Sequence, residues 1–332
     1  MILVTGGTGL VGAHLLLHII ASDSNGQSRV RATYRSFSSI EKTKSLFDRY
    51  NKGDLFDKID WAQADILDIP ALEIVFQGIT MVYHCAAYIS FDPRDEEKLR
   101  KINIEGTANI VNFSLANGIK KLCHISSIAA LGDVLSSETV ITEAAEWNPE
   151  KKHSDYAISK YGAEMEVWRG QQEGLDVIIV NPGVIIGPGF PEQGSGALIK
   201  KVANGMTYYT TGQTGFIAVT DVVQISYMLM NSTIRNERFT LIAQNIIYRD
   251  FLTTVAKAIG VQPPQKEASP FLLEIAWRSD AVASWIFNKE RKLTQAVALS
   301  ACSTITYSND KIKKALNYTF MDVHEYIKAN FE

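Results

Sequence analysis

The sequence predicts an α/β protein: a doubly wound parallel sheet with a smaller C-terminal lobe that closes over it and binds substrate. Three observations carry that expectation. A short apolar run at Ile2–Val4 leads straight into glycines at 6, 9 and 12 and then into an apolar helical stretch, Ala13 to Ala21. Further apolar runs, at about 30, 60, 80, 121 and 176, alternate with helical segments, as strands and crossovers of a parallel sheet do. Beyond Tyr248 that alternation stops. The expected division is residues 1–182 and 216–245 for the sheet domain, and 183–215 and 246–332 for the lobe.

The first turn sets the chemistry. Gly7, Gly9 and Gly12 satisfy the spacing G-x-G-x-x-G, and Gly6, Gly9 and Gly12 recur every third residue. Such glycines allow a tight turn, close approach of backbone to a pyrophosphate, and tight packing of helix on strand. The first free N–H groups of the following helix would then point at phosphate oxygens. Arg29–Arg35 is the second strand, and its last residue decides the cofactor. An acid there would bind the ribose 2′-hydroxyl of NAD, whereas Arg35, helped by Lys42, suits the 2′-phosphate of NADP.

The remaining elements follow in order. Ile59–Ile66 is the third strand, with Asp65 and Ile66 where the chain would pass the adenine. After a short helix, Leu72–Gly78, the run Thr80–Ala87 is a fourth strand ending in the small residues Ala86 and Ala87, with Tyr88 and Phe91 just beyond. Asp95–Asn117 reads as one long helix that begins on acids, ends at Gly118 and carries Asn103. Lys121–Ser127 is the fifth strand and puts Ser126 and Ser127 at its carboxyl end, where open parallel sheets bind ligands. Residues 134–154 form a loop. Asp155–Gln172 is a helix on which Tyr156 and Lys160, four apart, share a face. Asp176–Val180 is the sixth strand, Phe216–Asn231 a helix, Arg238–Ala243 a last strand and Asp250–Ile259 a further helix.

Composition limits the classes of function. The chain has 332 residues, 46% of them hydrophobic, enough for a large core. Lys plus Arg is 33 against 36 for Asp plus Glu, a net charge of -3 that gives no electrostatic reason to expect nucleic acid or a membrane surface as partner. Cys85, Cys123 and Cys302 lack metal-type spacing, and the first two read as buried thiols in a reducing compartment. The sequence opens on a core strand, leaving no room for a signal peptide. No run approaches the roughly 18 apolar residues of a membrane span, so the expected location is cytoplasmic.

With Thr5–Gly12, Ser127 and Tyr156-Ala-Ile-Ser-Lys160 in view, the chain resembles the extended short-chain dehydrogenase/reductase family of nucleotide-sugar epimerases, dihydroflavonol reductases and steroid dehydrogenases. Asn103-Ile-Glu-Gly-Thr107, Asn181–Pro188, Phe216–Val222 and Lys311–Tyr326 are similar to further family motifs. Asn181 stands where an arginine is usual, Ile186 where a tyrosine is common, and Asn317 where a glycine is. Family dehydratases carry an Asp-Glu pair after the catalytic hydroxyl; Ile128-Ala129 stand there, against a sugar dehydratase. The resemblance implies a Rossmann sheet and a catalytic set of Ser127, Tyr156, Lys160 and Asn103. It implies cofactor contacts from Gly6, Thr8, Gly9, Leu10, Val11, Gly12, Arg35, Lys42, Asp65, Ile66, Ala86, Ala87, Tyr156, Lys160, Pro182, Gly183, Val184 and Ile185. It also implies a homodimer through the helix before Gly118 and the helix carrying Tyr156.

The chemistry of these residue types agrees. Hydride delivery to a carbonyl leaves negative charge on oxygen, so a proton donor is needed beside it. A phenol has a pKa of about 10, and a nearby ammonium brings it into use. Tyr156 would be the donor, Lys160 the ammonium, and Ser127 the residue that orients the carbonyl, with Tyr88 and Phe91 near the substrate. The expected function is NADP(H)-dependent reduction of a largely apolar ketone or aldehyde, with Phe271, Leu272, Trp277, Trp285 and Ile286 offering apolar surface in the lobe. Two alternatives stay open: a nucleotide-sugar epimerase with tightly held NAD(P), for which Arg278 and Arg291 could grip a diphosphate, and a non-catalytic NADP(H) sensor.

Overall fold

The computed structural model describes residues 1–23, 29–133, 139–287, 291 and 293–331. Seven strands make one parallel sheet: β1 (Ile2–Thr5), β2 (Val30–Tyr34), β3 (Ile59–Gln63), β4 (Met81–His84), β5 (Lys121–Ile125), β6 (Val177–Pro182) and β7 (Glu237–Leu241). Their order across the sheet is 3-2-1-4-5-6-7. β1 pairs with β2 on one side, Ile2 opposite Val30, and with β4 on the other, Ile2 opposite Met81. The winding therefore reverses at β1, and a crevice opens beyond the carboxyl ends of β1 and β4, where such sheets take ligands.

The strands are apolar because both faces are covered. All six residues of β6 are buried, and adjacent Leu3 and Val4 of β1 belong to two separate apolar clusters. One cluster contains helix α1 (Leu10–Ser22); the other contains residues of Gly106–Ala116 and Asp155–Gln172. With α2 (Ile40–Arg49) between β2 and β3, those two helices are α3 and α4 in chain order, and Val219–Met230 is α5. α5 packs against α1. A smaller three-stranded sheet places Gln213–Ala218 between Val184–Ile186, parallel to it, and Gln244–Ile247, antiparallel.

Several sequence expectations need correction. The helix expected over 216–231 begins at Val219: Phe216, Ile217 and Ala218 are strand residues, all fully buried, so their apolarity comes from a covered strand. The third strand stops at Gln63, and Asp65 instead makes a turn, its Oδ1 accepting from Leu67 N at 3.0 Å. The expected long helix over 95–117 is interrupted: Glu96–Leu99 is α-helical, Arg100–Glu105 is a π-turn, and α3 resumes at Gly106. The 134–154 loop contains a short strand, Val140–Ile141, paired with Thr306–Tyr307; residues 134–138 lie outside the described ones.

The C-terminal lobe departs most from expectation. Its long helix α6 (Pro270–Phe287) leaves Phe271 75%, Trp285 85% and Ile286 60% exposed, so these side chains are neither core nor the walls of a closed pocket. Among the described residues no helix is long and apolar enough to cross a membrane. At Asn317, where the sequence lacks the usual glycine, the backbone is left-handed at φ 48°, a conformation that asparagine tolerates better than most residues.

Phe216 tests how much the smaller sheet contributes. It is fully buried and stacked on Phe251 with ring centroids 4.6 Å apart. Phe216→Ala should lower unfolding stability by about 3–5 kcal/mol, read as a fall in urea midpoint at constant slope.

Candidate active site

The turn between β1 and α1 is a cradle closed by backbone. Gly6 has φ 69°, and a Cβ there would lie 2.7 Å from Ala86 N, so the turn rests directly on the end of β4. A Cβ on Gly12 would come within 2.2 Å of Gly6 O. Gly9 is the N-cap of α1 and makes no side-chain cap, and no acid occupies the first turn. The N–H groups of that turn thus meet neither a capping side chain nor a local carboxylate. This arrangement fits a dinucleotide pyrophosphate. Thr8, Leu10 and Val11 are half-buried around the cradle, and Arg35 and Lys42 are exposed, one just after β2 and one on α2. Gly183, Val184 and Ile185 are half-buried where the chain passes from β6 into the smaller sheet, while Pro182 is buried.

The structure brings Ser127, Tyr156 and Lys160 together. Ser127 follows β5; its hydroxyl accepts from Ala129 N at 3.1 Å and lies beside the Tyr156 phenol. Burial raises the pKa of that phenol above its ordinary value, and the neighbouring Ser127 hydroxyl opposes the shift. Ser154 caps α4, its Oγ accepting from Ala157 N at 3.2 Å, so Tyr156 stands in the first turn. Lys160 is 2% exposed and donates from Nζ to Ile125 O at 2.9 Å. Burial pulls its pKa down to about 8, against the raising influence of Glu164 and Cys85. Phe91 sits edge-on to the Tyr156 ring, with centroids 5.5 Å apart.

Asn103 lies in the π-turn and reaches across to the loop after β4. Its Oδ1 accepts from Tyr88 N at 2.7 Å, and its Nδ2 donates to Tyr88 O and to Ser159 Oγ, both at 2.9 Å. Ser159 in turn donates to Tyr156 O at 2.8 Å. Asn103 therefore ties the loop carrying Tyr88 and Phe91 to the helix carrying Tyr156. The Tyr88 hydroxyl itself is committed to Asp95 Oδ2 at 3.0 Å. Ile66 packs against Gly106, and its carbonyl accepts from Asn109 Nδ2 at 3.0 Å.

Two buried polar groups escaped the sequence reading. Glu164, one turn after Lys160, is fully buried; Ser126 Oγ and Asn181 Nδ2 both donate to its Oε1 at 2.5 Å, and Arg238 Nη1 stands 3.3 Å from Oε2. Arg238, one strand away on β7, brings its guanidinium to the same network as Asn181, which occupies the position where a family arginine is usual. The Tyr-x-x-x-Lys spacing continued by four residues could have pointed to Glu164. The other is His84, fully buried at the end of β4. Thr107 Oγ1 donates to Asn103 O at 2.6 Å, so it accepts from His84 Nε2 at 3.0 Å, leaving Nδ1 to accept from Thr5 Oγ1 at 2.7 Å. His84 is thereby a neutral imidazole, and burial depresses its pKa to about 3.

The matches to known proteins agree with this arrangement. Residues 2–241 match the model of the NAD dependent epimerase/dehydratase family. The chain belongs to that family, within the extended short-chain dehydrogenases/reductases. It is 30% identical over 286 residues to a putative dihydroflavonol 4-reductase of Synechocystis, covering 84% of this chain and 78% of that protein. It is 27% identical over 274 residues to sterol demethylase protein B of Methylococcus capsulatus, covering 82% and 78%. Among solved structures, that of gox2253 superposes with a TM-score of 0.79 at 27% identity, covering 99% of this chain and 96% of the other. UDP-glucose 4-epimerase of Thermotoga maritima, with UDP-glucose, shares the fold at a TM-score of 0.75 and 18% identity, covering 99% and 97%.

Three buried histidines make stability sensitive to mild acid. His84, His14 (pKa lowered to about 4) and His124 (well below its ordinary value) are all depressed first by burial. The unfolded chain binds protons on them below about pH 6.5 while the folded chain does not. Their stabilisation is therefore present above about pH 6.5 and is lost as pH falls toward their folded-state values. Urea unfolding at about pH 7, 6 and 5 should give progressively lower stability, with a slope approaching roughly three protons, about 4 kcal/mol per pH unit, near pH 5. A flat profile over that interval would show that the imidazoles are not held neutral.

Proposed function

We propose that the protein is an NADP(H)-dependent reductase of a small, largely apolar ketone or aldehyde, with Tyr156 as proton donor. The observation that carries this reading is the grouping of three side chains beyond the carboxyl ends of the central strands: the Tyr156 phenol, the Ser127 hydroxyl beside it, and the buried Lys160 one helical turn on. The nicotinamide cofactor, when bound, supplies the hydride. Gly6, Thr8, Gly9, Leu10, Val11 and Gly12 would hold its pyrophosphate and Arg35, with Lys42, its 2′-phosphate. Ser127 orients the carbonyl oxygen. Tyr156 passes its proton to the developing alkoxide, and the Lys160 ammonium makes that phenol more acidic than burial alone would leave it.

Support for an apolar carbonyl comes from the residues around Tyr156. Phe91 is 49% exposed and borders its ring, and Ile89 nearby is 55% exposed. The two arginines that could serve a nucleotide diphosphate are engaged elsewhere: Arg278 pairs with Glu274 at 2.5 Å, and Arg291 Nη2 bonds Trp277 O at 3.3 Å. The reductase relatives favour the same class. A homodimer through α3 and α4 belongs to this proposal, and sedimentation at micromolar concentration tests it.

NADPH consumption with a panel of carbonyl compounds tests the reading. Tyr156→Phe should lower kcat about 10²- to 10⁴-fold with little change in NADPH affinity. Arg35→Ala should weaken NADPH binding while sparing NADH, narrowing or reversing the preference. Cofactor that survives dialysis, with stabilisation by a nucleotide-sugar and by no ketone, would overturn the reductase in favour of an epimerase. NADPH binding without turnover of any carbonyl class would favour a sensor.

A further inference from the structure

The buried carboxylate of Glu164 lies one helical turn from Lys160 and has no opening to solvent. Its Oε1 accepts from two donors, Ser126 Oγ and Asn181 Nδ2, and its Oε2 faces the Arg238 guanidinium; burial raises the pKa of the carboxyl above its ordinary value, and these three partners oppose that rise by favouring the ionised form. The titratable groups that act on Lys160 or feel it are Glu164 on its own helix, Cys85 beyond β4, and the imidazoles of His84 on β4 and His124 on β5; Tyr156 lies one turn earlier on the same helix. Both imidazoles are neutral, as argued above, and burial holds the Cys85 thiol in its protonated form. Glu164 is thus the charged neighbour of opposite sign among these groups. Through Asn181 it also reaches the reacting hydroxyl's backbone, because Asn181 Nδ2 donates to Ser127 O at 2.8 Å.

We propose that Glu164 is a positioning residue that keeps Lys160 an ammonium, with Arg238 setting how strongly it does so. The role assigned to Lys160 rests on the reductase reading, but the electrostatic link between Glu164 and Lys160 does not. Arg238 lies with Glu143, Glu237 and Lys311 on the wall of a surface groove of about 530 Å³, so the groove is joined to the catalytic lysine through one buried carboxylate.

Two substitutions test the link. Glu164→Gln keeps an oxygen for Ser126 and Asn181 but removes the negative charge, so Lys160 should give up its proton at lower pH. Arg238→Met removes a cation that favours the ionised form of Glu164, so Lys160 should move in the same direction by a smaller amount. Competitive acetylation of the purified proteins from about pH 6 to about pH 10, read at Lys160 by mass spectrometry, reports this without any substrate. We expect the Lys160 titration of Glu164→Gln to move down by about one pH unit, a roughly tenfold change in labelling on its slope, and that of Arg238→Met to move down by less. The alkaline limb of carbonyl reduction should follow both shifts. A folded Glu164→Gln that titrates like the wild type, or an Arg238→Met that moves the Lys160 titration up, would overturn the proposal. If the wild type consumes no NADPH with any carbonyl, the reductase reading falls while the labelling still decides the role of Glu164.

Discussion

One contact between two stretches of backbone governs the rest of this molecule: the approach of Gly12 to the carbonyl of Gly6. No side chain fits between them. Because that carbonyl also receives Gly9 N at 3.0 Å, the turn after β1 closes on itself before α1 starts. The start of α1 is held over the sheet with its amide groups turned outward, and Gly6 is pressed on Ala86 at the end of the neighbouring strand. Main chain thus meets main chain at the reversal of strand order, while Ser127 and Tyr156 stand farther along the sheet, at the end of β5 and the start of α4.

Polar order inside the sheet continues this theme. A series of hydrogen bonds with a single consistent direction runs from Ala86 N to Thr5, His84, Thr107 and the carbonyl of Asn103. It joins the glycine turn to the π-turn without a charge anywhere along it. Glu164 and Arg238 do the opposite on the far side of Lys160, pairing a fully buried carboxylate with a partly exposed guanidinium. Removing Arg238 alone is the costly break, because the carboxylate left behind cannot reach water. Lys160 thus lies between a neutral polar layer and one that holds an ion pair.

Much of this was legible in the sequence, and the reasons it was legible also mark where reading failed. The central strands announced themselves as continuous apolar runs because they are covered on both faces, and the glycine spacing located the cradle because only glycine satisfies its contacts. Tyr156 and Lys160 were visible because helical spacing alone puts them on one face. The pairing of Glu164 with Arg238 was not, since the two are separated by 74 residues and meet only through the order of strands. Phe216–Ala218 misled because a fully buried strand and a buried helix turn look alike over so few residues. The aromatics of α6 misled for a different reason: apolarity along a chain says that a side chain would gain from cover, and says nothing about whether this chain provides it.

The π-turn at Arg100–Glu105 has a consequence for how this region can vary. A single extra residue in a helix changes its phase by about 100°, the angle between successive residues. Everything C-terminal to it is rotated relative to everything N-terminal, so Glu96–Leu99 and α3 offer faces that an unbroken helix could not offer together. Removing one residue there would give a straighter and locally better-bonded helix, yet it would turn either Asn103 away from Tyr88 or Thr107 away from His84. The length of this stretch is fixed by two partners, Tyr88 and His84, that lie in different directions.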